Sequence, residues 1–172
     1  MSRSQLLVMP VLAALLVLAT ACQREREAGP LELTGHLFVF NYRQAQATLL
    51  FTLQPMRPLD ETLLVSVSFE NPQGGEAIQQ RQTVHPGASR IALESRPLKC
   101  VRKDRPYAFT IKVTNDSGEE LQEITGTASS NLDQSVLPAT APVIGPAYDR
   151  NPLAYDDAGN LIAGSMAGCP DR

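Results

Sequence analysis

The sequence has no tryptophan, only four tyrosines and five phenylalanines, and only two histidines in its 172 residues. So few aromatic side chains argue against a surface on which sugar rings stack. The histidines, His36 and His85, stand far apart, and no cysteine pair lies at metal-ligand spacing beside either of them. We therefore predict no metal site, and we interpret both histidines as surface or turn residues.

An excess of charge of one sign is also lacking, since 15 Lys and Arg residues stand against 18 Asp and Glu residues, for a net charge of −3. No basic stripe is present, which argues against nucleic acid as a partner.

Long apolar runs are missing as well. Leu6–Leu18 is interrupted by Pro10 and is shorter than the roughly 20 residues that a membrane-spanning helix needs, so a transmembrane anchor is the weaker interpretation.

Catalytic motifs are absent too. Gly164–Met166 lacks the flanking glycine of a Gly-x-Ser-x-Gly elbow, and no phosphate-binding loop occurs. Asp156, Asp157 and Asn160, with Asp149 nearby, suit calcium in type, but their spacing does not match an EF-hand loop, which favours a solvated acidic loop. We predict no catalytic residue, no cofactor and no enzyme activity.

What is present begins at the N-terminus, where residues 1–21 have the three parts of a secretory signal. Met1–Gln5 is short and polar, Leu6–Leu18 is apolar, and small residues lead to Cys22. The run Leu18–Cys22 resembles the lipobox of bacterial lipoprotein signal peptides. It departs from that pattern at Ala19, where leucine is most common.

The lipobox resemblance implies that Cys22 becomes the first mature residue and carries a diacylglycerol plus a further acyl chain such as palmitate. Several chains anchor a protein stably, because each buried methylene adds about 0.8 kcal/mol. Gln23, in place of aspartate, implies sorting to the outer membrane, with the domain facing the periplasm. The alternative is an ordinary signal peptide cut after Ala21, which leaves a free N-terminal cysteine.

Period-two alternation of apolar residues dominates the following region and predicts half-buried strands. Turn signals such as Asn71–Gly75 and Asn115–Gly118 separate the runs, and no helical period occurs outside the signal. The pattern predicts an all-β fold: a single antiparallel β-sandwich, immunoglobulin-like, of about seven strands. The alternating apolar residues are Leu31, Leu33, Leu37, Val39, Ala47, Leu49, Phe51, Leu53, Leu63, Val65, Val67, Phe69, Ile78, Val84, Ile91, Leu93, Tyr107, Phe109, Ile111, Val113, Leu121 and Ile124.

Individual strands carry further predictions. Ile78–Val84 is more polar than the others, which predicts a position at a sheet edge. The odd spacing of Leu121 and Ile124 predicts a β-bulge in the last strand. Tyr107 stands at the start of the sixth strand, where immunoglobulin-like folds place a corner tyrosine.

The C-terminal region is rich in proline and lacks regular alternation, yet it is too apolar for a typical disordered tail. We expect it to be extended, to pack on the sandwich and to cover an edge strand. The predicted divisions are a signal peptide at 1–21, a tether at 22–30, a β-sandwich at 31–128 and an extended tail at 129–172.

Two cysteines remain besides Cys22. Export places them in an oxidising compartment, where paired thiols form disulfides. A bridge between Cys100 and Cys169 would close a loop of about 70 residues, worth about 4 kcal/mol in the chain-entropy model, and would fasten the tail to the body. The alternative is two buried free thiols.

Four cations around Cys100 form the most asymmetric charge feature of the sequence. They are the candidate contact for anionic lipid headgroups, lipopolysaccharide or an acidic partner. The alternative is an ordinary solvated loop between strands. This basic cluster comprises Lys99, Arg102, Lys103 and Arg105.

The combination of lipobox, tether and one small β-sandwich resembles outer-membrane lipoproteins that include the YbaY proteins and the YscW-type pilotins. The points of contact are Gly35, Leu49–Leu53 and Tyr107–Ile111, within a region covering Leu31–Thr127. The cysteine pair and the long tail depart from that pattern.

The resemblance implies a non-enzymatic, lipid-anchored binding or assembly-accessory module for an envelope or secretion complex. Its partners would be the membrane, through the lipid, and an envelope protein. The alternative is a lipoprotein that binds a small ligand or an envelope glycan. Clustering of Tyr42, Tyr148 and Tyr155 beside a pocket would favour that alternative.

Overall fold

The computed structural model describes residues 29–170, so the signal sequence, Cys22 and most of the predicted tether lie outside the described residues. The described chain is all-β, with two short 3-10 turns at Gln134–Val136 and Pro152–Ala154. Its strands are β1 (Leu31–Asn41), β2 (Gln46–Pro55), β3 (Leu63–Phe69), β4 (Ile78–Val84), β5 (Ile91–Glu94), β6 (Tyr107–Asn115), β7 (Glu120–Ala128), β8 (Val143–Ile144) and β9 (Asp149–Arg150).

Seven of these strands form two antiparallel sheets that pack face to face. One sheet has the order β1-β2-β5 and the other has the order β4-β3-β6-β7, so the predicted polar strand β4 does lie at an edge. Phe51 of the first sheet meets Phe69 and Phe109 of the second, at ring-centroid distances of 6.2 and 5.0 Å. The predicted all-β, antiparallel sandwich is confirmed.

Burial follows the pleat in most strands. In β3 the alternate residues from Leu63 to Phe69 are buried, while Leu64 is partly open to solvent. The same alternation holds in β6, from Tyr107 to Val113. Because successive side chains of a strand point to opposite faces, these apolar spacings place one face of each strand in a common core.

Strand β1 departs from the predicted alternation. The register with β2 shifts between Leu33 and Gly35, so Thr34 is an extra residue that reverses the faces beyond it. Leu37 is consequently 52% exposed, and Phe38 and Phe40 pack against the core in place of Leu37 and Val39. The prediction that Leu37 and Val39 share the buried face of Leu31 is therefore wrong.

The β6–β7 hairpin agrees with the sequence in both of its predicted features. Gly118 adopts a φ of +82°, the left-handed conformation that suits glycine in a tight turn. The register shifts between Val113 and Thr114, whose partners are Gln122 and Glu120, so Leu121 is the extra residue of a bulge. The predicted bulge in the last strand is confirmed.

The two ends of the sandwich carry different turns and loops. We call the end where β1 begins, near Leu31 and the β6–β7 hairpin, the proximal end. The side chain of Gln122 holds it: Nε2 donates to the carbonyl oxygen of Leu31 at 2.9 Å, and Oε1 accepts from its amide at 3.1 Å. The opposite end carries the β1–β2 turn, the β3–β4 turn and the chain beyond Ala128, and we call it the distal end.

Candidate functional site

The distal end is organised by Tyr107, which is fully buried at the start of β6. Its hydroxyl accepts a hydrogen bond from the amide of Arg102 at 2.9 Å and lies 3.4 Å from the carbonyl oxygen of Cys100, to which it donates. A tyrosine hydroxyl bonded to backbone a few residues upstream is the corner arrangement of immunoglobulin-like sandwiches. The predicted corner tyrosine is confirmed, and it fixes the loop that carries the basic cluster.

Removing this hydroxyl tests its role in the loop. We expect Tyr107→Phe to lower the free energy of unfolding by about 1–2 kcal/mol, because a buried amide and a carbonyl lose a shared partner. Urea unfolding measures the change. Tyr148→Phe is the matched control, since Tyr148 is 61% exposed, and a loss of the same size in both variants would contradict the prediction.

The predicted disulfide between Cys100 and Cys169 is present, with the Cα atoms 5.4 Å apart and a sequence separation of 69. Cys100 is buried and has a φ of +68°. Next to the bridge, Nε of Arg102 donates to the carbonyl oxygen of Pro170 at 2.9 Å. The far end of the chain is therefore fastened to the loop before β6.

Residues 129–170, which we call the C-terminal segment, pack on the distal end. Leu137 is buried in the core, and Gln134 bonds the backbone of Leu98 and Val101 through its side chain. The segment then folds into the β8–β9 hairpin, with Gly145 at a φ of +70°. The segment is thus folded into short turns and a hairpin and is not the extended tail expected from the sequence; in the described residues it pairs with the loop at Lys103 and not with an edge strand.

The four cations of the basic cluster do not form one open patch. Arg105 pairs with Glu70 and lies over the ring of Tyr107, 4.8 Å from its centroid. Arg102 bonds Pro170, while Lys103 lies 4.0 Å from Asp104, and Lys99 is exposed. Two of the four guanidinium and ammonium groups thus hold the distal end together. The surface that could bind an anion through this cluster is smaller than the sequence suggests.

Two surface cavities within residues 29–170 are lined by residues other than the tyrosines. One of about 240 Å³ lies between Leu37 of β1 and Asp104, and another of about 340 Å³ lies beside Glu70. Neither is lined by Tyr42, Tyr148 or Tyr155. Two of the tyrosines instead face cations, because Arg43 lies over the ring of Tyr148 at 5.1 Å and Arg150 over that of Tyr155 at 3.9 Å. The arrangement that would favour a ligand-binding module is not formed around these cavities.

His36 illustrates a role that the sequence pattern missed. The bulge at Thr34 places its ring 5.0 Å from the ring of Phe109, although the residue stays exposed. Its Nε2 lies 3.0 Å from the carbonyl oxygen of Thr127, so Nε2 carries the proton in this bond. His36 therefore joins the edge of β1 to the edge of β7, and its position is structural.

Two further ionisable groups, Lys112 and Asp156, serve local structure. Lys112 binds Glu120 and Glu123 at 2.9 and 2.8 Å, and these hydrogen bonds raise the pKa of its ammonium group. The backbone amide of Asn160 donates to Asp156 at 2.7 Å and lowers the pKa of that carboxyl. Among residues 29–170, no group of three or more His, Cys, Asp and Glu side chains is arranged for a metal, and no helix is long and apolar enough to cross a membrane.

Comparison with known proteins gives only distant structural matches. No protein-family model matches the sequence, and no curated protein matches it. Among 22 matching solved chains is a Bacteroides uniformis β-glucuronidase, with 13% identity and a TM-score of 0.37 over 58% of this chain and 12% of the enzyme. Another is the Pseudomonas fluorescens alkylpurine DNA glycosylase AlkC, with 16% identity and a TM-score of 0.30 over 59% of this chain and 31% of that chain. The aligned region is thus a minor part of the β-glucuronidase and of the AlkC chain.

Proposed function

We propose that this protein is a non-enzymatic lipoprotein of the outer membrane, anchored through Cys22, whose sandwich is a binding or assembly-accessory module for an envelope or secretion complex. The observation that carries the proposal is the position of Leu31. It lies at the proximal end, opposite the disulfide-linked C-terminal segment. A lipid at Cys22 would therefore hold one end of the domain near the bilayer and present the other to a partner.

Dimensions support this orientation. Strand β1 has 11 residues, so at about 3.3 Å per residue the distal end lies about 35 Å from the point where the tether enters the domain. Holding a domain near a membrane raises its effective concentration for a membrane-bound partner without any new contact. The Cys100–Cys169 bridge is consistent with export, since disulfides persist in oxidising compartments.

The same geometry changes the proposed role of the basic cluster. Lys99, Arg102, Lys103 and Arg105 lie at the distal end, away from the tether. We therefore favour an acidic partner over the headgroups of the anchoring membrane as the contact of the cluster's exposed members.

The anchor is tested by fractionating envelopes that contain the full chain. We expect Cys22→Ser to move the protein from the membrane to the soluble fraction, because the thiol that receives the diacylglycerol is gone. Continued membrane fractionation of Cys22→Ser would refute the anchor. Gln23→Asp is the matched control: it keeps the thiol, and we expect it to stay membrane-bound but to shift from the outer to the inner membrane.

A further inference from the structure

The two sides of the sandwich differ in the side-chain hydrogen bonds that join their edge strands. Along one side of the sandwich, side chains join β1 to β7: His36 bonds the carbonyl of Thr127, and Gln122 bonds both backbone groups of Leu31. Both of these strands also carry a bulge, a feature that discourages further strand pairing. On the other side the edge strands are β4 and β5, which lie against each other; β4 pairs with β3 over seven consecutive positions with no register shift, and β5 pairs with β2 over four.

The pairing pattern identifies the free backbone groups of β4. The amide of Glu70 donates to Ala108, so the alternate residues of β3 that bond β4 include Val65 and Val67. Their partners, Gln82 and Gln80, therefore use their backbone groups inside the sheet. The alternate β4 residues direct their N–H and C=O groups outward, away from β3. These residues are Gln79, Arg81 and Thr83.

The side chains along this edge are polar and exposed, and one of them is charged. Arg81 stands opposite Ser66 of β3 and forms no ion pair, hydrogen bond or ring contact within residues 29–170. Lys112, the cation of the neighbouring β6, is already bound by Glu120 and Glu123. The edge thus offers one uncompensated positive charge in the middle of a row of free backbone groups.

We propose that the edge of β4 binds an extended acidic segment of a partner protein, which adds to the sheet as an antiparallel or parallel strand. Main-chain hydrogen bonds to Gln79, Arg81 and Thr83 supply the attachment, and a carboxylate across from Arg81 supplies the selectivity. This inference rests on the proposed function, because it names the chemistry of the partner that the anchored module would receive.

The same charge argues against a second copy of this chain as the occupant. The symmetric pairing that uses the whole of Ile78–Val84 places its two-fold axis at Arg81. That pairing sets two guanidinium groups directly opposite one another, and like charges in that position destabilise a strand pair. A partner strand with an acidic residue at the same place has no such cost.

The test uses the full chain in its own envelope, with a photo-crosslinking benzoylphenylalanine at position 79. The control has the same amino acid at Thr110, on the same face of the sheet but in the central strand β6. We expect an adduct from position 79 and none from position 110. Mass spectrometry is expected to place the crosslink in an extended segment of another protein that carries Asp or Glu.

Two second-site variants, each combined with the crosslinker at position 79, decide whether the β4 edge is responsible for the adduct. We expect Arg81→Glu to reduce the adduct about tenfold, since an attractive cross-strand pair becomes repulsive. Thr83→Pro is expected to have a similar effect, because it removes an outward amide without removing a bond to β3. Arg90→Glu, which reverses a charge on an exposed loop, is the matched control and is expected to leave the yield unchanged.

Several outcomes would overturn the proposal. These are no adduct from position 79, an equal adduct from position 110, a crosslink between two copies of this chain, or no response to Arg81→Glu. If circular dichroism shows that Thr83→Pro is unfolded, the comparison of Arg81→Glu with Arg90→Glu alone decides whether the β4 edge forms the adduct. Failure of the lipid anchor is a separate and distinguishable result. If the anchor were wrong, the Cys22→Ser variant would stay in the membrane, while the full chain with the crosslinker at position 79 would still form its adduct.

Discussion

Replacing Cys100 and Cys169 together by alanine is expected to lower the free energy of unfolding by about 4 kcal/mol. The bridge closes a loop across 69 positions, and in the chain-entropy model a loop of that length restricts the unfolded chain by about this amount. With a urea dependence of about 2 kcal/mol per molar, the unfolding midpoint falls by about 2 M. The measurement is made in a Cys22→Ser background, which leaves no other thiol in the chain.

The control for the disulfide variant is Ala167→Ser, an exposed position two residues from Cys169. It changes the same part of the chain without opening the loop, and its midpoint is expected to remain unchanged. Amide hydrogen exchange locates the effect. Faster exchange in the C-terminal segment, with the sandwich strands still protected, would mean that the bridge mainly fastens the segment. A midpoint equal to that of the control would contradict the predicted stabilisation.

Truncating Phe51 to alanine is expected to cost about 3–5 kcal/mol. Phe51 is 2% exposed, and its ring meets those of Phe69 and Phe109 across the interface between the sheets. Its removal leaves a cavity that the two sheets close only in part, so contacts are lost in addition to the transfer free energy. Urea unfolding in the same Cys22→Ser background measures the loss.

Leu153→Ala is the matched truncation on the surface, since Leu153 is 80% exposed, and a change within about 0.5 kcal/mol is expected there. A double-mutant cycle with Phe109→Ala isolates the ring pair, for which a coupling of about 0.5–1.5 kcal/mol is expected. Equal losses in the Phe51 and Leu153 variants would show that the two sheets do not share the core described above.

Much of the sandwich could be predicted because its strands obey one local rule. The residues from Leu63 to Phe69 and from Tyr107 to Val113 alternate strictly, and the pleat converts that alternation into one buried face. The polar composition of Ile78–Val84 predicted an edge for the same reason, since an edge strand is less enclosed. Glycine at position 118 predicted a tight turn because few other residues adopt a positive φ.

The first strand shows where this rule fails. Nothing in the apolar spacing marks Thr34 as an extra residue, yet that one residue exchanges the faces of Leu37 and Phe38. The bulge brings His36 over Phe109 and within hydrogen-bonding distance of Thr127. Residues so far apart in sequence meet only when both sheets are assembled, and their partnership leaves no local signal.

The basic cluster and the C-terminal segment at the distal end also make contacts that local sequence patterns do not predict. Adjacent cations in the sequence suggested one surface, but Arg105 pairs with Glu70, which follows β3, and Arg102 bonds Pro170 near the end of the chain. Charges that are neighbours along a chain separate when the fold gives each a nearer partner. The unpaired cation that matters for the β4 edge, Arg81, was isolated in the sequence and carried no motif.

The amino-acid sequence by itself determined the all-β class, the seven strands of the sandwich, the corner tyrosine and the cysteine pair, because each depends on local spacing or on residue type. It also predicts the lipid anchor at Cys22, which lies outside the described residues. Only the tertiary structure decided which end of the domain lies opposite Leu31, which cations are already paired and which edge strands are joined by side-chain hydrogen bonds. Those properties depend on contacts between residues distant in sequence, which no local pattern encodes.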